Sequence, residues 1–109
     1  MTVTLPQAVR AYFDGTNAGD ANAVANAFAA DGVVRDENKV HSGHAAIGAW
    51  ARDTIGKYNM TTTPLSLSGD GHNPTVKARV AGTFPGSPIE LTFRFELGAE
   101  KIRSLTIGN

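Results

Sequence analysis

Cysteine is absent from the 109 residues. Disulfide frameworks, thiolate zinc sites and cysteine nucleophiles are excluded with it. Net charge is absent too: Lys plus Arg and Asp plus Glu stand at 10 each, and no block of like charge occurs. A nucleic-acid binder shows a basic stripe, because phosphate contacts dominate its affinity. With no such stripe, no nucleic-acid partner is expected. No apolar run approaches the ~20 residues needed to cross a bilayer. The opening residues, Met1 to Pro6, carry neither a basic stretch nor an apolar one, so no targeting segment is read there. The expectation is a cytoplasmic protein with no membrane partner. Repeats, linkers and low-complexity stretches are also missing, which leaves one domain over residues 1–109. A chain of this length buries roughly two-thirds of its unfolded surface, enough for one core and a modest cavity.

The first half reads as helices. Thr4-Leu5-Pro6-Gln7 looks like a helix start, with Thr4 as cap and Gln7 closing a capping box. Val9, Tyr12, Phe13 and Thr16 then form one face. Gly19 suits a left-handed C-cap and Asp20 caps a second helix. That helix would bury Ala21, Val24, Ala25 and Phe28 and end at Asp31-Gly32. Val33 to Asp36 reads as a short strand, and Glu37-Asn38 turns it back into a second, Lys39 to Ser42. Gly43 opens a third helix whose stripe is Ile47, Trp50, Ala51, Thr54, Ile55 and Tyr58.

From Met60 the period drops to two. Val76, Ala78, Val80, Gly82 and Phe84 alternate with Lys77 and Arg79, and Gly82 suits a bend. Ile89, Leu91, Phe93, Phe95 and Leu97 share a face opposite Glu90, Thr92, Arg94 and Glu96, and Lys101 to Ile107 forms the last strand. Helices first and strands after argue for α+β. The sheet must curl around the helices to cover its apolar face, and its concave side leaves room for a pocket.

Asp36 alternates with Val34, so if Val34 faces the core Asp36 does too. A carboxylate there is desolvated, which raises its pKa and suits a general base. The plainer reading is a strand-edge Asp paired with Arg35, Lys39 or solvent. Tyr12 lies on an apolar stripe, where a tyrosine is ordinarily core with a satisfied hydroxyl. His41, on the strand after Asp36, either pairs with it or stands at the rim. His41 and His44 lack a third ligand, so no metal is expected. Trp50, Tyr58, Phe84, Phe93 and Phe95 serve the core first.

Val9-Arg10-Ala11-Tyr12-Phe13, Asn17-Ala18-Gly19-Asp20, Ala27-Phe28-Ala29-Ala30-Asp31, Val34-Arg35-Asp36 and Ser42-Gly43-His44-Ala45-Ala46-Ile47 together resemble the N-terminal half of the nuclear transport factor 2-like superfamily. Phe93-Arg94-Phe95 and Lys101-Ile102 resemble its C-terminal strands. The nearest branches are the SnoaL-like polyketide cyclases and the ketosteroid isomerases. The resemblance implies a cone-shaped α+β fold, with three N-terminal helices packed on a strongly curved, mixed, mostly antiparallel sheet around a closed pocket. It places a base at Asp36 and an oxyanion donor at Tyr12; His41, from its place on the strand after Asp36, is a further candidate. The second oxyanion acid of the isomerases falls on Leu91, and Glu90 has the wrong parity. Phe13, Phe28, Val34, Ile47, Trp50, Tyr58, Phe84, Leu91 and Phe93 are expected to line the pocket. The implied activity is proton transfer next to a carbonyl of a small apolar molecule, with no cofactor. The alternative is a non-catalytic ligand-binding or dimerisation domain of the same fold. A homodimer through the outer sheet face, where Arg79, Arg94 and Glu96 lie, is expected in either case.

Overall fold

The computed structural model describes residues 5–108. Helices α1 (Gln7–Ala18), α2 (Ala21–Asn26) and α3 (Gly43–Tyr58) pack on a six-stranded sheet. Its strands are β1 (Phe28–Asp36), β2 (Lys39–Ser42), β3 (Thr61–Gly69), β4 (Pro74–Ala81), β5 (Ile89–Gly98) and β6 (Lys101–Gly108). The strand order is β2-β1-β6-β5-β4-β3. Only β1 and β6 run parallel; the other pairs are antiparallel. The α+β architecture is thus as expected, and the sheet stays open, with β2 and β3 as its edges. Register shifts interrupt the ladders at Phe28/Val33, Pro64/Ser66 and Glu96/Leu97. Each such irregularity bends its strand and adds twist, which is how a sheet wraps a helical layer.

The Asn17–Asp20 stretch joins the two layers. Gly19 takes the left-handed conformation at φ 70° and ends α1. The Asp20 side chain accepts the Ala23 amide at 3.0 Å and starts α2. Asn17 binds the edge strand at both of its amide atoms: Nδ2 donates to the Thr62 carbonyl at 2.8 Å, and Oδ1 accepts the Thr62 amide at 2.7 Å. An edge strand has backbone groups without a ladder partner, and this side chain supplies one.

Three boundaries differ from the sequence reading. Thr4 lies outside the described residues. Pro6 occupies the N-cap of α1 without a side-chain cap bond, so Gln7 is the first helical residue and closes no capping box. α2 stops at Asn26, and Phe28 belongs to β1. Pairing decides this: Phe28 sits in register with Ile102 of β6, and the Ile102 amide donates to the Ala27 carbonyl at 3.0 Å. The strand buries Phe28, and the helical stripe expected the same, so periodicity could not distinguish them. β4 ends at Ala81, before the expected Gly82 and Phe84.

Gly82 stands in a bend just past β4, as expected, and it is also a point of close approach. A Cβ there would run into the carbonyl oxygen of Tyr58 at the end of α3. That oxygen also accepts the Thr83 amide at 2.8 Å. Gly82→Ala should therefore lower stability by about 1–3 kcal/mol, the usual cost of overpacking, readable as a lower midpoint in urea unfolding. The core between the layers is aromatic: the Phe13 ring lies 5.2 Å from Phe93 and 6.0 Å from Phe95.

Candidate active site

α1, α3 and the concave face of the sheet enclose a cavity of about 450 Å3. Tyr12 and Thr16 reach it from α1, and Trp50, Thr54 and Tyr58 from α3. Thr62, Val80, Ile89, Leu91, Phe93 and Ile107 form the sheet wall, while Asp36, Glu37, Phe84 and Pro85 complete the lining. The lining is largely apolar. The cavity opens to solvent on one side instead of being closed as the sequence reading held. The Thr16 and Thr54 hydroxyls donate within their own helices, to the Tyr12 and Trp50 carbonyls at 2.9 Å each, and the Thr16 side chain also lies in hydrogen-bonding reach of the Tyr12 phenol.

Asp36 is the last residue of β1 and is half-buried. Strand alternation sends Val34 and Asp36 inward and leaves Arg35 exposed. Burial raises the Asp36 pKa above its ordinary value of 3.8. The indole N–H of Trp50 opposes this by donating to Oδ2 at 3.2 Å. The charge of Glu37 raises the pKa further, while His41 and the Glu37 amide lower it. Trp50 therefore both orients the carboxylate and favours its ionised form. Trp50→Phe should raise the Asp36 pKa. Since a base works when ionised, the acid limb of any Asp36-dependent rate should move to higher pH. A pH–rate profile of the variant checks this.

Tyr12 is 4% exposed and sits within the aromatic cluster, 5.1 Å from Phe13 and 5.8 Å from Phe95 between ring centroids. Burial, and then the charge of Asp36, push its hydroxyl well above the ordinary tyrosine value, so it stays a proton donor. Asp36 and Tyr12 thus share one cavity. His41 does not line it. It pairs with Val34 across β1 and β2, and its ring lies 6.0 Å from that of Trp50, so it reaches Asp36 only through its charge. His44 points elsewhere: its Nε2–H donates to the Phe28 carbonyl at 2.8 Å.

Among the residues expected to line the pocket, Trp50, Tyr58, Phe84, Leu91 and Phe93 do so. Phe13, Phe28, Val34 and Ile47 are fully buried in the core away from the lining. An apolar stripe shows which side of an element is covered, but not whether neighbours fill the space in front of it. Leu91 faces the cavity on β5 and Glu90 is exposed, as parity requires.

Glu37 was missed as a site residue. On an unbroken strand it would point away from Asp36. Here Glu37 and Asn38 take positive φ, 53° and 64°, in the turn to β2, and both carboxylates line the cavity. The Tyr58 hydroxyl donates to Glu37 Oε1 at 3.4 Å across the mouth, and the Phe84 ring meets Tyr58 edge-on at 5.7 Å. The turn was legible in the sequence. Its effect on the direction of Glu37 was the available signal.

Three helices on an open, mixed six-stranded sheet define a domain of nuclear transport factor 2-like, cystatin-type fold. Residues 9–104 match the SnoaL-like domain, and the chain belongs to that family. Among solved structures it is similar to a candidate polyketide cyclase from Sinorhizobium meliloti, at 38% identity over 94% of each chain, with a TM-score of 0.90. It is similar to the epoxide hydrolase/cyclase-like enzyme SalBIII of pyran ring formation in the polyether salinomycin, at 26% identity over 94% of this chain and 87% of that one, TM-score 0.79. A protein of ketosteroid isomerase-like fold from Catenulispora acidiphila, in complex with trimethylamine, shares the fold at 24% identity over 97% of this chain and 87% of that one, TM-score 0.86. No curated protein matches.

Proposed function

We propose that the cavity binds a small, largely apolar carbonyl compound, and that Asp36 removes a proton from the carbon next to the carbonyl. The single observation that carries this is the shared cavity. A half-buried carboxylate and a buried phenol line the same apolar space. In the step, the C–H bond breaks and its proton passes to Asp36. The electron pair moves onto the carbonyl oxygen, where the Tyr12 hydroxyl donates a hydrogen bond to the developing enolate. Asp36 then returns the proton to the enolate carbon, or that carbon attacks a second carbonyl within the same molecule, whose C=O π bond opens to an alkoxide that takes the proton back from Asp36. The transfer is redox-neutral and balances without a co-reactant. The similarity to cyclase-like proteins supports this class of chemistry.

The second reading is a ligand-binding domain without catalysis, and Leu91 favours it. The isomerases to which the sequence is similar place a second oxyanion acid there, whereas this wall is apolar. Deuterium exchange separates the two. Methylene ketones held with the protein in D2O should lose their α-proton NMR signals faster than in buffer alone. Binding without accelerated exchange across a ketone panel would establish the second reading.

We also propose that the outer sheet face pairs two copies of the chain. It carries charges of both signs in cross-strand register, such as Arg79 beside Glu90, so a two-fold arrangement can set unlike charges opposite each other.

A further inference from the structure

The cavity wall is unbalanced in charge. Asp36 and Glu37 line it, and no Lys, Arg or His among the described residues does. The two acids stand at different depths, Asp36 half-buried against Trp50 and Glu37 exposed against Tyr58. Three aromatic rings occupy this same end, since Trp50 touches Asp36, Tyr58 touches Glu37 and Phe84 packs edge-on to Tyr58. At the deep end, the Tyr12 side chain is 4% exposed and lines the cavity. Its hydroxyl lies within hydrogen-bonding reach of the Thr16 side chain, which lines the same space.

Carboxylates beside aromatic ring faces recognise a cation, because the ring quadrupole and the negative charges act in the same direction. The Tyr58 ring already engages an ammonium in this way: Lys57 Nζ lies 5.2 Å from its centroid. Lys57 itself is exposed and does not line the cavity. An anionic ligand would meet two like charges with no counter-charge among the described lining residues, the Lys57 ammonium that feels the charge of Glu37 standing outside the lining.

We propose that the cavity takes a ligand carrying a protonated amine, held at the mouth by Glu37 and the Tyr58 and Phe84 rings, with an apolar body along Leu91 and Phe93 and a neutral hydrogen-bond acceptor at Tyr12. This rests on the proton-transfer reading only in taking that acceptor to be the substrate carbonyl. A cation at the mouth also favours the ionised form of Asp36, which a base requires.

The test is a calorimetric titration of the full chain with three probes of one length: 4-phenylbutylammonium, 4-phenylbutan-1-ol and 4-phenylbutyrate. The amine should bind about tenfold or more tightly than the alcohol, and the carboxylate most weakly. Glu37→Gln should cut the preference for the amine several-fold, Asp36 and the rings remaining, with the alcohol's affinity as the control that the cavity is intact. Equal binding of amine and alcohol, tightest binding of the carboxylate, no binding of any probe, or an unchanged preference in Glu37→Gln would each overturn the proposal. Failure of the proton-transfer reading appears elsewhere, as Asp36-independent deuterium exchange, and leaves the ratio of the amine and alcohol affinities untouched.

Discussion

Asp36→Asn should lower the rate of α-proton exchange in any true substrate by about 10²–10⁴-fold, the usual contribution of a positioned general base. The substituted amide keeps an oxygen to accept the Trp50 indole N–H, so the geometry is retained and the loss is of the base itself. Stability should move the other way. Burial raises the pKa of Asp36 in the folded chain above its ordinary value, so folding disfavours the ionised form. Between the ordinary carboxylate pKa and the raised one, the folded state binds more protons than the unfolded state, and stability falls as pH rises. Above the raised pKa the deficit is complete and constant. Asp36→Asn removes it, so the variant should match or exceed the parent in thermal midpoint at pH 7 and lose that advantage as pH falls through the titration. An inactive variant at least as stable as the parent identifies a functional carboxylate. A less stable one that keeps its exchange rate would mark Asp36 as structural.

Phe13→Ala should be the most destabilising single change, costing about 3–5 kcal/mol. Phe13 is 2% exposed and meets Tyr12, Phe93 and Phe95 edge-on, with ring centroids 5.1, 5.2 and 6.0 Å away. Its removal leaves a void among rings that cannot all collapse into it. Native domains are stable by only ~5–15 kcal/mol, so the loss is a large share. At roughly 4 °C per kcal/mol for a domain of this size, the thermal midpoint should fall by about 12–20 °C, readable by calorimetry. Leu91→Ala should cost far less, because Leu91 is only partly buried and already borders empty space. Comparable losses in the two variants would mean that the cavity wall and the core are one packed unit.

The contrast between Phe13 and Leu91 also shows how far the sequence could be read. Both lie on apolar stripes, and the period assigned each to the covered side of its element. What stands in front of that side depends on other elements. Phe93 and Phe95 come from β5, some eighty residues from Phe13, and they fill the space that a helical stripe alone leaves open. Phe28 shows the same limit at the level of secondary structure. Local pattern allowed a helix, and pairing with Ile102 of β6 imposed a strand.

The sequence by itself determined the order of helices before strands, the Gly19 and Asp20 punctuation, and the sidedness of the strands. Asp36 faces inward with Val34, and Leu91 rather than Glu90 faces the cavity, because alternation along a strand is a local rule. Only the tertiary structure decided which inward residues meet a ligand space and which meet one another. It also decided that Trp50 would hold Asp36 and that a turn at positive φ would bring Glu37 to the same cavity. These depend on the distance between elements far apart in the chain and on dihedral angles that the alternation rule does not carry.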